Sequence, residues 1–169
     1  MYLNNYMDMG IGKVRNACFK NKNRWMFTIE GISEEGVSAL PPNKAARPSL
    51  AFKEIEVQHA NEIVYLPGKP DWKPINLVLY DIKKNKNPVL EWIKMIYDPE
   101  TGDYKLDSKF KKKAKLELFD GCGKVMESWV FEEAWPNNIE WGDLDMATSE
   151  VVVVDLTLRY SRAYVKSSE

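Results

Sequence analysis

A proline-studded junction, YLPGKPDWKPINLVLYD at residues 65–81, restricts the fold more than any other stretch of the chain. Three prolines and a glycine lie between its two extended halves, so the backbone is expected to cross there as a stiff loop with little freedom. Beyond Trp72, Ile75, Leu77 and Leu79 alternate with Asn76, Val78 and Tyr80, the period of a strand with a buried side. Asn87-Pro88 then puts an N-cap side chain directly before a proline at the first helical position, which predicts a helix over residues 88–97. Along that helix Val89, Ile93 and Ile96 form one stripe with Trp92 beside it, the face by which a helix rests on a sheet.

Strand patterns dominate elsewhere. Residues 1–23 are polar, broken by Gly10 and Gly12, and read as an N-terminal arm. RWMFTIEGI (24–32) alternates Trp25, Phe27 and Ile29 against Met26, Thr28 and Glu30, the first clear strand. Residues 33–48 hold three prolines and no period, a loop of about sixteen residues, and loops that long inside a compact domain are usually functional. Residues 52–58 and 62–66 form a predicted hairpin around His59-Ala60-Asn61, and 113–120 and 125–135 form another around Asp120-Gly121-Cys122-Gly123. The last strand, 150–165, is expected to run about sixteen residues unbroken, with Val152, Val154, Leu156, Leu158 and Tyr160 on one face. The expected fold is mainly β: an antiparallel β-barrel or sandwich with one flanking α-helix, a single domain over 24–165, and a short tail at 166–169.

At 169 residues the chain suits one core. Lysine plus arginine (24) nearly balance aspartate plus glutamate (25), so no global positive excess points to nucleic acid. Cys18 and Cys122 are too few for a disulfide framework and are not clustered as zinc ligands, so neither metal nor cofactor is expected. With no apolar leader and no apolar run long enough to span a bilayer, membrane insertion is not expected and synthesis is placed in the cytoplasm. No catalytic residue stands out. His59 sits in a turn without a Ser or Cys motif, and the adjacent Glu132 and Glu133 point to opposite strand faces. Glu54 and Glu56 share a face with Gln58, which a polar wall explains more simply than an acid–base pair. Gly10-Ile-Gly12 lacks the strand and the Lys-Ser/Thr of a phosphate loop. The six tryptophans fall mostly where cores and loops need anchors; the competing reading is a monomeric β-barrel that binds a small ligand or glycan through Trp72, Trp135 and Trp141.

Several pieces recur in one order: RWMFTIEGI, a long Pro-containing loop, RPSLAFKEIEVQHANEIVYLPGKPDWKPINLVLYD, NPVLEWIKMIYD, the DG turn before VMESWVFEEAWP, and LDMATSEVVVVDLTLRYSRAYV. Together they resemble the tail tube proteins of contractile-tailed bacteriophages, a family related in fold to the tubes of type VI secretion and contractile injection systems, which remain alternatives. The resemblance implies six subunits per ring and rings stacked into a hollow tube inside a contractile sheath. Implied partners are further copies of the chain, the sheath outside, a baseplate and a tail terminator at the ends, and a tape-measure protein and passing DNA in the lumen. The implied location is the virion, after synthesis in a bacterial host.

Three sets of residues are candidates for such an assembly. Glu54, Glu56 and Gln58, with Asp155 and Thr157, alternate with apolar neighbours (Ile55, Val57, Leu156, Leu158) expected to be buried, and an acidic wall would repel DNA phosphates and let DNA slide. Residues 105–115 hold six lysines and one aspartate while 127–145 hold six acidic residues and no basic one, so Lys111, Lys112 and Lys113 are candidates to face Glu132, Glu140 or Asp143 of a neighbour. Two solvated faces of one hairpin, or nucleic-acid binding by the lysines, account for the same runs. Within the long loop, Val37, Ala39 and Leu40 offer an apolar anchor, Pro41 and Pro42 stiffness and Arg47 a charged donor for stacking on the next ring.

Overall fold

Nine strands and one helix account for most of the residues described by the computed structural model, which are 20–32, 42–81, 87–105 and 109–166. In chain order they are β1 (Trp25–Ile29), β2 (Pro42–Ala45), β3 (Leu50–His59), β4 (Glu62–Trp72), β5 (Ile75–Tyr80), α1 (Pro88–Lys94), β6 (Lys112–Phe119), β7 (Val125–Glu140), β8 (Val153–Arg159) and β9 (Arg162–Lys166). Seven strands form one antiparallel sheet in the order β1-β6-β7-β8-β5-β2, with β9 also paired to β7. The path folds over on itself as a sandwich. β1 and β2 lie at its two ends without hydrogen-bonding to each other, so the barrel alternative is not closed.

The fold turns on β7. Its first part pairs with β6 and β9, and its second part, from Trp135 to Glu140, pairs with β8. Between them the register slips by one residue, and Glu133 takes a left-handed φ of 54°. Such a bulge bends a strand and sharpens its twist, and here it carries one strand from one layer into the other. The long strand is therefore β7. The expected continuous strand at 150–165 is instead broken at Tyr160-Ser161 into β8 and β9, which pair with different halves of β7. Pro136 and Asn138, beyond the expected strand end at 135, belong to β7 and oppose Leu158 and Thr157 across a second irregularity.

The core fills the space between the layers. Phe27, Leu116, Phe131, Ile75, Leu77, Leu156 and Leu158 are all buried, as the alternation of β1, β5, β6 and β8 requires. The Phe131 ring lies 5.9 Å from Phe27 and 5.1 Å from Tyr160. α1 covers this core with Val89 and Trp92, and the Trp92 indole donates to the Phe110 carbonyl at 2.6 Å. At its start the Asn87 side chain accepts from the amides of Val89 (3.0 Å) and Leu90 (3.4 Å), the expected N-cap. The helix ends at Lys94 rather than at Tyr97. Asp98 precedes a proline and disfavours further helix, and Tyr97 forms a bridge with Tyr104 instead.

Two other expectations are corrected. The loop at 33–48 contains β2, which pairs with β5 through Pro42↔Leu79 and Ala45↔Leu77; an existing strand edge supplies an order that local composition cannot show. The residues Pro67, Gly68 and Pro70 are not a loop between strands but part of β4, opposite Glu54 and Phe52 of β3. A bulge accommodates them. A Cβ on Gly68 would lie 2.6 Å from the Lys53 carbonyl oxygen, so only glycine lets the two backbones approach this closely.

Candidate assembly surfaces

β3 and β4 make a separate two-stranded sheet. Their register places Ile55 opposite Leu66 and Val57 opposite Val64 on one face, and Glu54, Glu56 and Gln58 opposite Pro67, Tyr65 and Ile63 on the other. The hairpin turns at Ala60-Asn61, with Ala60 at a φ of 53°. His59 stands exposed at the end of β3, opposite Glu62. Contrary to the sequence expectation, the apolar face is not buried: Ile55 is 50%, Val57 42%, Val64 47% and Leu66 48% exposed. The alternation is that of a half-buried strand, but no second layer of the described chain covers it.

Asp155 and Thr157 lie elsewhere, on the outer face of β8, where Asp155 opposes Glu140 and Val78 and Thr157 opposes Asn138 and Asn76. The Thr157 hydroxyl donates to the Asn76 side-chain oxygen at 3.2 Å. Leu156 and Leu158 between them are buried as expected. The two groups of acidic and polar candidates thus belong to different sheets, and Glu140, read from sequence as a lateral contact, sits on the same face as Asp155.

The lysine run and the acidic run meet within one chain. Lys111 pairs with Glu133 at 3.3 Å. Glu132 is held by Arg162 and accepts from the Tyr164 hydroxyl at 3.4 Å; the Arg162 hydrogen bond draws its carboxyl below the ordinary range. Glu133 is drawn down in the same direction, first by the Ser161 hydroxyl and then by Lys111. Glu140 accepts from the Asn138 side chain at 3.0 Å. Lys113 and Lys115 line a small hollow of about 280 Å³ with Glu30 and Thr28.

Val37, Ala39, Leu40 and Pro41 of the predicted stacking loop lie outside the described residues. Pro42 opens β2. Arg47, assigned from sequence to an external contact, donates within the chain to Glu127 at 2.7 Å. Glu127 is a buried carboxylate, and Lys20 and the Trp129 indole also donate to it. Its two cationic partners, Arg47 and Lys20, lie 80 and 107 residues away, so no local signal in the sequence marks this charged junction.

The tryptophans do not assemble into a ligand platform. Trp72 lies against Tyr160 at 6.0 Å and Trp135 against Phe110 at 6.4 Å, both half-buried, which leaves Trp141 as the exposed member of that trio. Among the described residues no group of three His, Cys, Asp or Glu side chains is arranged to hold a metal ion, and no helix is long and apolar enough to cross a membrane.

Comparison with known proteins places this geometry. The family model described as T4-like virus tail tube protein gp19 matches residues 23–163. The fold is similar to that in the cryo-EM structure of the anti-feeding prophage tube-terminating cap, with a TM-score of 0.68 at 22% identity, covering 89% of this chain and 92% of that one. It is also similar to a chain of the sheath–tube complex of the extracellular contractile injection system PVC in its extended state, with a TM-score of 0.68 at 15% identity over 94% of this chain and 99% of that one. A more distant likeness is to Hcp1 from Flavobacterium johnsoniae, with a TM-score of 0.53 at 9% identity, covering 84% and 94%. No curated protein matches the chain by sequence.

Proposed function

This chain belongs to the T4-like virus tail tube protein family, and from that premise we propose that it builds the tube of a contractile phage tail as stacked rings of six copies, the conduit for DNA ejection. It is a structural protein of a contractile tail or injection particle and not an enzyme. The observation that carries the proposal is the β3–β4 hairpin, which among the described residues is a two-stranded sheet with an aliphatic face in water and one free edge on each strand. An isolated hairpin is marginal, and unpaired edges are templates for another chain. Burying the exposed half of Ile55, Val57, Val64 and Leu66 against a neighbouring copy contributes on the order of 1 kcal/mol per side chain, repeated around a ring.

In this reading the opposite hairpin face, with Glu54, Glu56 and Gln58, lines the channel together with Asp155 and Thr157. Negative charge there keeps DNA and a tape-measure protein from adhering to the wall. Lys111, Lys112 and Lys113 set lateral register against Glu132 and Glu140 of the next subunit; Lys111 and Glu132 contribute least because each already has a partner in its own chain. Residues 33–48, with Val37, Leu40, Pro41 and Pro42, stack on the next ring, while Arg47 is already engaged by Glu127 of its own chain. A sheath outside and a baseplate and terminator at the ends complete the particle, with no insertion into a membrane. The protein is made in the host cytoplasm and ends in the virion.

The likeness to the anti-feeding prophage and PVC chains favours a second reading, the tube of an extracellular contractile injection system. Size exclusion with light scattering, followed by negative-stain imaging of the purified chain, tests the shared part of both readings. Rings or hollow rods are expected. A species of 19.6 kDa at every concentration, with no rods, overturns both.

A further inference from the structure

Two surface features outside the hairpin complement one another. The first is the connection from β7 to β8, residues 141–152, which carries no strand or helix. It exposes large apolar side chains, with Leu144 at 84% and Met146 wholly in solvent. Its charged residues are all acidic: Asp143, Asp145 and Glu150. The connection has a defined path. Gly142 has a φ of 72° and lies so close to β8 that a Cβ would meet the Val153 carbonyl at 2.6 Å, and the Asp145 side chain accepts from the Ala147 amide at 2.9 Å. A monomer gains nothing by displaying Leu144 and Met146 beside Asp143 and Asp145, whereas a knob that enters an apolar hole with a basic rim needs that sequence.

Such a hole lies where the two ends of the sheet path come together, between β1, β6 and β2. It is a cleft of about 610 Å³ with Trp25, Ala45 and Leu118 on its floor and Lys20, Lys22 and Lys44 at its rim, where Arg47 also opens into it. The buried carboxylate beside it, Glu127, engages Lys20 and Arg47. Among the described residues, four cations at this cleft meet one anion, which leaves the rim positive.

We infer that the acidic, Met-tipped connection of one subunit inserts into this basic-rimmed cleft of the next copy of the chain. Knob and hole are different surfaces, so the contact is heterologous and propagates from copy to copy instead of closing a pair. Leu144 and Met146 fill the apolar floor, where methionine adapts to an irregular space. Asp143 and Asp145 meet Lys22 and Lys44, which fixes the orientation and excludes an uncharged or basic occupant. The inference rests on the tube reading for the existence of neighbouring copies, but it assigns a contact that neither the hairpin nor the lysine run provides.

Cysteine cross-linking decides it. In the full chain with C18S and C122S, the pair K44C and M146C is oxidised after assembly and run on a non-reducing gel. A ladder of covalent multimers that needs both cysteines is expected, while each single-cysteine variant stops at dimers. Rods that form normally but give only monomers, or a cross-link confined within one chain, overturn the contact and leave the tube reading intact. Should the parent chain form no rods, the tube reading fails, and the ladder from concentrated soluble protein judges the contact alone. Charge reversal supplies a second readout. D143K with D145K, or K22E with K44E, is expected to lower the sedimentable fraction about tenfold at low salt, with folding unchanged because these side chains are exposed. Combining both reversals in one chain restores assembly; no loss in either single reversal, or no recovery on combining them, contradicts the inference.

Discussion

The sandwich body and the β3–β4 hairpin are written in the same alternating code but meet opposite fates. In the body, Leu116, Leu118, Leu156 and Leu158 stand every second residue and are buried, because β1, β5 and α1 of the same chain cover them. In the hairpin, Ile55, Val57, Val64 and Leu66 obey the same period and remain about half in water. Alternation tells which face a strand intends to bury, not whether the second layer comes from the same chain. The body is a self-sufficient core; the hairpin is a layer that the rest of the described chain leaves uncovered.

The sharpest way to break this contrast is to truncate one side chain in each region. Phe131→Ala removes a wholly buried ring wedged between Phe27 and Tyr160 and is expected to cost about 3–5 kcal/mol in urea unfolding of the dispersed chain. Ile55→Ala in the same assay is expected to cost under about 1 kcal/mol, since half of its surface never left water. Equal losses would mean that the hairpin is covered within the monomer. Next in size, Val57→Asp with Val64→Asp puts two charges on the aliphatic face. Roughly a hundredfold weaker assembly is expected from sedimentation, with thermal unfolding of the dispersed chain unmoved; assembly at the parental level would remove the hairpin from the interface.

Smaller effects sharpen the body side. Asn87→Ala deletes the cap of α1 and is expected to lower stability by about 1 kcal/mol, read by denaturation, with tube formation kept. The smallest concerns β9, an edge strand joined to β7 through Arg162 and Glu132. Arg162 holds the Glu132 carboxyl below its ordinary range, so the pair's contribution is fully present above that range and fades as pH falls through the depressed folded value. Amide protection at residues 162–166, taken relative to the intrinsic exchange rate at each pH, is expected to fall selectively on acidification, and to be lower already at neutral pH in Glu132→Gln. Uniform exchange across β6 and β9 at low pH would deny this local release.

Legibility followed locality. β1, the β6–β7 hairpin, the Asn87 cap and the inward face of β8 rest on signals a few residues long, and each stands where the sequence placed it. The Asp120 turn is an example: its side chain accepts from the amides of Cys122 and Lys124, each at 2.8 Å, within the span that suggested it. The misses have distant causes. β2 is ordered by the β5 edge, Pro67 and Pro70 are tolerated because β4 has a free side and a bulge, and β7 bends at Glu133 where one layer becomes the other. For the assembly surfaces, the sequence located charge and apolar pattern but not occupancy. Arg47 went to Glu127 of its own chain, and Ile55 and Val57 went to solvent.

A cryo-EM reconstruction of the self-assembled full chain, at a resolution that shows side chains, tests the central claim most directly. The account predicts hollow rings in which Ile55, Val57, Val64 and Leu66 of each hairpin are buried against a neighbouring copy while Glu54 and Glu56 face the channel. An assembly in which that aliphatic face still lies in water, with the rings held by other surfaces alone, would contradict it.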